Sequence, residues 1–519
     1  MAQRQNQLNQ EITHLYSLYE KGIDYQNSIG LSQSIETNIR FFEGNQWPQP
    51  TESTKNLPRP VINIVKMICR SKKAAILSTP VKLIFKSYTQ GINTERFNSF
   101  ANSILKELGQ DSLDKQALDD GIKKGSYFFH YYWDKNAIDL NGIVDGGVRC
   151  ELINPLNIFF ANPTLRDEQK QGWILIASHL TVDEILTLCD ENVKITASLL
   201  ENDKNDNGTV TLLTRYFRIN GEVYCERATK RHIISAPFPI APSSPLTNSQ
   251  NIRRVRAGLY PIVAGCYERR ESSIYGLSEI DNVIPNQKAI NFNVAMSLLN
   301  AQECAWGKYV ALPNALKGQK ISNVPGQVLI DHSGTGNGIK KMSEQPLSQV
   351  PMEITSKLID MTKSVSGASG IMSGEVEWSN MSGTAIAQLQ AQAQVPLEEL
   401  RSELWEAKRK QGLVIAQFMK LYYYKKPFIT KIQENEQEKE IFDYFTSSDY
   451  ENSIFDVSVE VTGGSKLTTA SVISMLDTCL KNGSISAEAY VKSYPDSLLI
   501  NKTEILKHLQ LEKAKTDNK

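Results

Sequence analysis

The stretch that most constrains the fold runs from Tyr275 to Gln394. It opens YGLSEIDNVIPNQKAINFNVAMSLLNAQECA, crosses a turn-rich segment from Trp306 to Pro351, and returns through a second helical run, a polar loop and a long helix. The first helical pattern, from Asn282 or Pro285 to Ala305, would be roughly 30 Å long at about 1.5 Å per residue. The segment between the two helices is rich in Gly, Pro and short β-like runs. This pattern predicts a protruding helical hairpin with a small domain at its tip.

The first helix has an unusual face pattern. Ile290, Val294, Leu298, Ala301 and Ala305 form one apolar stripe at helical spacing, and Phe292, Met296 and Leu299 form a second. Asn293, Ser297 and Asn300 run between them as an uncharged polar strip. Two apolar faces on one helix need two sets of neighbours. Either the helix is buried in an ordinary core, or it packs against copies of itself in a ring with the polar strip facing a lumen.

A chain of 519 residues with 41% apolar content is long enough for two to four compact units. Its 57 basic residues equal its 57 acidic ones, so no global field draws it to nucleic acid. The seven cysteines are scattered, with no CxxC pair, as expected of reduced, buried thiols rather than a disulfide framework or zinc site. The sequence opens with no signal-peptide pattern, and no apolar run reaches membrane-span length. The reading is a protein soluble and intracellular at synthesis, with no membrane partner.

Upstream of the hairpin the chain reads as helices, then strands. Ser34 to Phe42 is helical and stops near Gly44. Val61 to Leu77 is a strong helix flanked by Lys66, Arg70, Lys72 and Lys73, either a polyanion patch or a solvated face. Val81 to Lys86 alternates as a strand, and Glu95 to Leu108 and Ser112 to Lys124 are helical. A β-rich body follows: Ser126 to Trp133, Gly147 to Ile153, Trp173 to Leu180, Thr209 to Ile219, Glu222 to Arg227 and Arg231 to Ser235. Asp203 to Gly208 matches the first half of an EF-hand loop, but Thr214 stands where the bidentate Glu belongs, so an acidic hairpin turn is the better reading.

Enzyme chemistry finds little support. The sequence contains no GxxxxGK[ST], HExxH or GxSxG, and the six histidines are isolated. Adjacent carboxylates such as Asp119 and Asp120, or Glu398 and Glu399, point apart on a helix and make no acid–base pair. Nothing calls for a cofactor or a metal. The chain reads as a non-enzyme; a hydrolase with an unrecognised site is a remote alternative.

The order of elements resembles the portal proteins of tailed double-stranded-DNA bacteriophages. FFEGNQW followed by LPRPVINIVKMICRSKKAAILSTPVKLIF looks like the portal N-terminal region. LINPLNIFFANP is similar to its central wing strand, IYGLSEIDNVIPNQKAINFNVAMSLLNAQECAWGKYV to the start of its stem, and GSISAEAYVKSYP to its helical crown. The resemblance implies an α+β subunit. Its parts would be N-terminal helices and an α/β wing over 1–276, an outgoing stem helix over 277–305 and a small α/β clip over 306–351. A returning stem helix over 352–366 and a tunnel loop over 367–383 would follow. A long kinked helix and wing return over 384–466, then a crown and tail over 467–519, would complete it.

The same resemblance implies a homo-oligomeric ring, usually of twelve copies, at one capsid vertex of the virion, assembled in the host cytoplasm. Double-stranded DNA would pass through it during packaging and ejection. Its partners would be the terminase motor, the head–tail connector and the major capsid protein. A head–tail adaptor or scaffolding protein without a DNA channel is the alternative.

Site residues carry over by position. The tunnel loop would present Ile371, Met372, Glu375, Glu377, Trp378, Asn380 and Met381. Its two carboxylates, with no Lys or Arg, would repel phosphate and keep DNA from sticking; they could equally be ordinary loop solubilisers. In the clip, Lys308, Lys317, Lys320, Lys340 and Lys341 stand against Asp331 and Glu344, leaving +3. That belt suits DNA phosphates, an acidic partner surface or simple solubility. Tyr309 to Leu312 and Gln327 to Asp331 read as clip strands, and Ser333 to Gly338 as a flexible turn. Asn293, Ser297 and Asn300 are the lumen candidates of the stem. Ser382 or Thr384 would cap the long helix, which should kink at Pro396.

Overall fold

The computed structural model describes residues 2–52, 54–138, 144, 146–189, 195–241, 256–305, 309–322, 328–334, 336–341, 350–368, 392, 395–434, 437–450, 453–461, 466–494, 499, 501–502, 504–506 and 508–509. Five helices open the chain: α1 (Ala2–Ser28), α2 (Leu31–Glu43), α3 (Ile64–Leu77), α4 (Thr94–Glu107) and α5 (Gln110–Lys124), with strand β1 (Val81–Ser87) between α3 and α4. Local chemistry sets their ends. Gly30 and Gly44, both left-handed, bracket α2. The side chains of Asn63 and Asn93 accept the amides of Lys66 and Arg96, capping α3 and α4.

The β-rich body follows. Its strands are β2 (Ser126–Asp134), β3 (Gly147–Ile153), β4 (Ile158–Phe160) and β5 (Trp173–Leu180). The short helices α6 (Val182–Thr187) and α7 (Ala197–Leu200) come next, then β6 (Val210–Ile219), β7 (Glu222–Ala228), β8 (Ile233–Pro239) and β9 (Ile262–Cys266). These strands form two antiparallel sheets, ordered β3-β2-β9 and β4-β5-β6-β7-β8. The half EF-hand is a hairpin turn leading into β6: the Asn205 amide donates to the Thr209 carbonyl, and Gly208 turns back to Asn205. Asp203, its first carboxylate, accepts from the Thr229 hydroxyl at 2.8 Å and faces Arg231 at 3.5 Å. The sheet therefore uses this side chain.

The excursion then leaves the body as α8 (Glu279–Ala305), β10 (Tyr309–Ala311), β11 (Ile339–Lys341) and α9 (Val350–Val365). A 3₁₀ turn at Val395–Leu397 precedes the long helix α10 (Glu398–Tyr422). Three more strands follow, β12 (Lys426–Glu434), β13 (Gln437–Phe445) and β14 (Phe455–Val461), then helices α11 (Lys466–Lys481) and α12 (Ala487–Ser493). Strand β14 runs back to pair with β1, from Val81 opposite Val461 to Ser87 opposite Phe455.

The largest core lies where α3, α4, α5, α8 and α10 meet, with Val65, Ile68, Phe97, Phe100, Ile104 and Ile415 among its buried residues. A second cluster, including Ile158, Ile174, Tyr216 and Val223, fills one face of the five-stranded sheet. Polar side chains tie α10 to the body. Asp114 of α5 meets Lys408 at 2.5 Å and Gln411 at 3.2 Å, and the fully buried Glu168 carboxylate meets Lys410 at 2.8 Å. Burial raises the Glu168 carboxyl above its usual range and Lys410 pulls it back.

The structure corrects several expectations. Helix α8 starts at Glu279, ahead of Asn282, because the Asp281 carboxylate accepts the Ser278 amide at 3.1 Å and closes the first turn. The partner of β10 is Ile339–Lys341, not Gln327–Asp331. Residue 327 lies outside the described residues. The amide and carbonyl of Ile330 are taken by the Gln319 side chain at 3.1 and 3.3 Å, which removes them from any ladder. Lys72 is neither patch nor solvated flank: it is buried against Glu279. At Pro396 the chain makes the 3₁₀ turn that opens α10, and the expected caps Ser382 and Thr384 lie outside the described residues.

Candidate assembly and channel surface

The foot of α8 is held by side-chain amides, carboxylates and a lysine. Asp281 accepts from Ser34 at 2.8 Å and Asn38 at 2.9 Å, both on α2. Lys72 of α3 meets Glu279 at 2.7 Å, and the Tyr267 hydroxyl donates to the same carboxylate oxygen at 3.0 Å. Burial pushes the Glu279 carboxyl above its usual range, opposed by Lys72 and Tyr267. Fully buried Gln287 accepts from the amides of Ile64 and Val65 and donates to the Ile62 carbonyl. It thereby supplies partners at the start of α3, where helical amides lack them. Asn291 donates to Gln46 at 2.7 Å and accepts the Ile62 amide.

The ties of α8 to α2, α3 and the segment between them described above run from Glu279 to Asn291. The remaining turns, Phe292 to Ala305, extend about 21 Å at 1.5 Å per residue. Helix α9 packs against α8, with Asn286 donating to the Thr362 hydroxyl at 3.1 Å. The buried face of α8 is Ile280, Val283, Gln287, Ile290, Asn291 and Ala295. This differs from both predicted stripes, because Gln287 and Asn291 turn inward, to the start of α3 and to Gln46 and Ile62 ahead of it. Phe292 is left 52% exposed, Met296 40% and Leu298 43%. On α9, Met352, Ile354, Met361 and Val365 are also exposed. The polar strip is half-buried: Ser297 donates to the Asn293 carbonyl, and Asn293 and Asn300 lie along the same side.

The tip is a tied loop. Strands β10 and β11 pair from Tyr309 opposite Lys341 to Ala311 opposite Ile339. Asp331 accepts the amides of Ser333 and Gly338, each at 2.8 Å. The loop expected to be flexible is therefore pinned by one carboxylate. Hydrogen bonds from the Ser333 hydroxyl and the two amides hold that carboxyl below its usual range. Lys317, Lys320 and Lys340 are exposed on this tip. Lys308 lies outside the described residues, and Lys341 is described only as backbone.

The neck of the excursion is closed. Gly367, just past α9, has φ of 70°, and a Cβ there would lie 3.2 Å from Pro396, just before α10. Ala368 and Leu397 are buried on either side. The tunnel-loop candidates Ile371, Met372, Glu375, Glu377, Trp378, Asn380 and Met381 lie between them, outside the described residues.

Sequence reasoning missed Lys72, Gln287 and Asn291 as the anchors of α8. Their polar side chains read as surface, and their partners lie more than two hundred positions away.

The excursion is thus a helical hairpin bound firmly at its foot, with apolar residues bare on both helices. Residues 253–467 match the family model of the phage P22-like portal protein, which supports a place in the phage portal protein family. That match runs from ahead of β9 to the start of α11 and so includes the whole excursion. No curated protein matches the chain.

Proposed function

We propose that this chain is a phage portal subunit that closes into a ring, usually of twelve copies in such proteins, at one capsid vertex. The ring is the channel through which double-stranded DNA is packaged and ejected. The observation that carries the reading is the α8–α9 hairpin, whose Phe292, Met296, Leu298, Met352 and Met361 stay bare in a single chain although α8 is rigidly rooted. Exposed apolar area on that scale marks a contact surface, and like helices standing side by side would cover it. The half-buried Asn293, Ser297 and Asn300 then line the lumen, offering duplex DNA dipoles but no charge.

Residues 277–305 and 352–366 act as the stem, 306–351 as the clip and 367–383 as the tunnel loop. Clip lysines Lys308, Lys317, Lys320, Lys340 and Lys341 meet the terminase motor or the head–tail connector, both of which the clip docks. Glu375 and Glu377 form a carboxylate ring that repels phosphate and limits friction. The wing, 1–276, meets the major capsid protein. Among the described residues no helix is long and apolar enough to cross a membrane.

Negative-stain electron microscopy of the purified chain tests the reading. The expected particle is a ring of about twelve copies with a central hole wider than B-DNA. Closed assemblies with no hole would favour an adaptor or scaffold, and a monodisperse monomer would end the channel reading.

A further inference from the structure

Four helices bring cations together beside the foot of α8. Along α3, Lys66, Arg70 and Lys73 follow one another at four and three residues, so they share one helix face. Like charges at that spacing work against a helix. Lys66 and Lys123 of α5 lie 5.6 and 4.3 Å from the Phe42 ring. Arg40 of α2 and Lys288 of α8 lie 6.0 and 5.7 Å from the neighbouring Phe41 ring. Two adjacent aromatic rings thus gather four cations that mutual repulsion would spread.

Neutralisation is incomplete. Asp119 is shared by Lys73 at 2.9 Å and Lys123 at 2.5 Å. Among the described residues, Arg40, Lys66, Arg70 and Lys288 make no ion pair, and neither Glu36 nor Glu43 on α2 pairs with them. In a chain with 57 charges of each sign, this is a local excess.

We propose that this surface binds the phosphate backbone of duplex DNA without sequence preference. The choice of DNA as the polyanion rests on the portal reading. An acidic protein fits less well. Protein partners are held by aromatic and arginine anchors packed into pockets, and here no aromatic is free to act as one: Phe41 is fully buried and Phe42 is half-buried among the lysines. What faces outward is charge, and phosphate contacts ask for nothing more.

Fluorescence anisotropy with the full chain and a labelled duplex of about 30 base pairs tests this by salt titration. The four unpaired cations predict a log–log salt slope of about −3 to −4. Lys66→Ala/Arg70→Ala should weaken binding at least tenfold at low salt and flatten the slope by about 2. Arg40→Ala/Lys288→Ala, on other helices, should do the same, which guards against a folding defect in either variant. A shuffled duplex should bind equally. Unchanged binding in both variants overturns the proposal, as does capture of poly-glutamate with no capture of DNA. Sedimentation of the same samples separates the two readings. Rings whose DNA affinity ignores all four residues sink this surface alone. A monomer that loses DNA on these substitutions sinks the channel and keeps the surface.

Discussion

Lys72 shows how a single residue resists reading from sequence. Its spacing from Val65, Ile68, Cys69 and Ile76 puts it on the buried face of α3, yet its charge argues for solvent. The partner that reconciles the two, Glu279, is 207 positions away, and no local signal announces it. Both side chains are under a tenth exposed, so removing one strands the other. Lys72→Met should cost about 3 kcal/mol, the usual result of breaking one side of a buried pair, while Lys72→Met/Glu279→Leu should recover most of it. Urea denaturation of the three proteins decides this; an additive double variant would mean that the pair is not coupled. Gly276 is another such residue. The string IYGLSEI was legible as the lead into the long helix α8, but the need for glycine was not. A Cβ there would lie 2.5 Å from the Gly125 carbonyl and 2.6 Å from that of Glu268, both held in place by accepting backbone amides, of Tyr267 and Leu277. Gly276→Ala should therefore cost about 2 kcal/mol, within the range for overpacking, and a melting temperature equal to wild type would refute the close approach.

At the scale of elements, regular periodicity was legible and tertiary ties were not. Strand β5 fell on Trp173–Leu180 as its alternation and aromatic content required, and α9 differs from its expected span by two residues at the start and one at the end. The tip of the excursion was read less well. Val328, Ile330 and their neighbours carry β-branched residues like a strand, but Gln319 captures the Ile330 backbone and the ladder forms with Ile339–Lys341 instead. Likewise the glycines of 333–338 suggested mobility, whereas Asp331 closes that loop by accepting two amides. The carboxyl is held below its ordinary value of 3.8. The closure it provides is therefore complete above that value and is lost as pH falls through the lower, folded one. Hydrogen exchange corrected for intrinsic rate should find the Ser333 and Gly338 amides protected at pH 6 and progressively released as pH falls below 3.8. In Asp331→Ala they should be unprotected at both. Protection that ignores pH and the substitution would assign the loop to another cause.

For the whole molecule, the sequence suggested two sets of neighbours for α8, and the single chain supplies one. The body fixes the lower turns through Asp281, Glu279, Gln287 and Asn291, and α9 covers part of the rest. Phe292 on α8 and Met361 on α9 remain more than half exposed. Within one chain a charge at either position is therefore nearly free, and Phe292→Asp/Met361→Asp should change monomer stability by no more than about 0.5 kcal/mol per site. Between copies the arithmetic reverses. Burying a large apolar side chain contributes about 1.5–3 kcal/mol, and an unpaired carboxylate in its place costs more. Each contact between neighbours should weaken by at least about 2.7 kcal/mol, or a hundredfold in dissociation constant. Because a closed ring repeats that contact at every interface, the loss compounds, and mass photometry should find monomers at concentrations where the wild type is assembled. The pairing of β1 with β14 and the ties along α10 lie elsewhere in the body, so circular dichroism and urea unfolding should find the monomer intact. If the doubly charged protein still assembles, the bare faces of α8 and α9 are not where copies meet, and the second set of neighbours of this helix must be another partner.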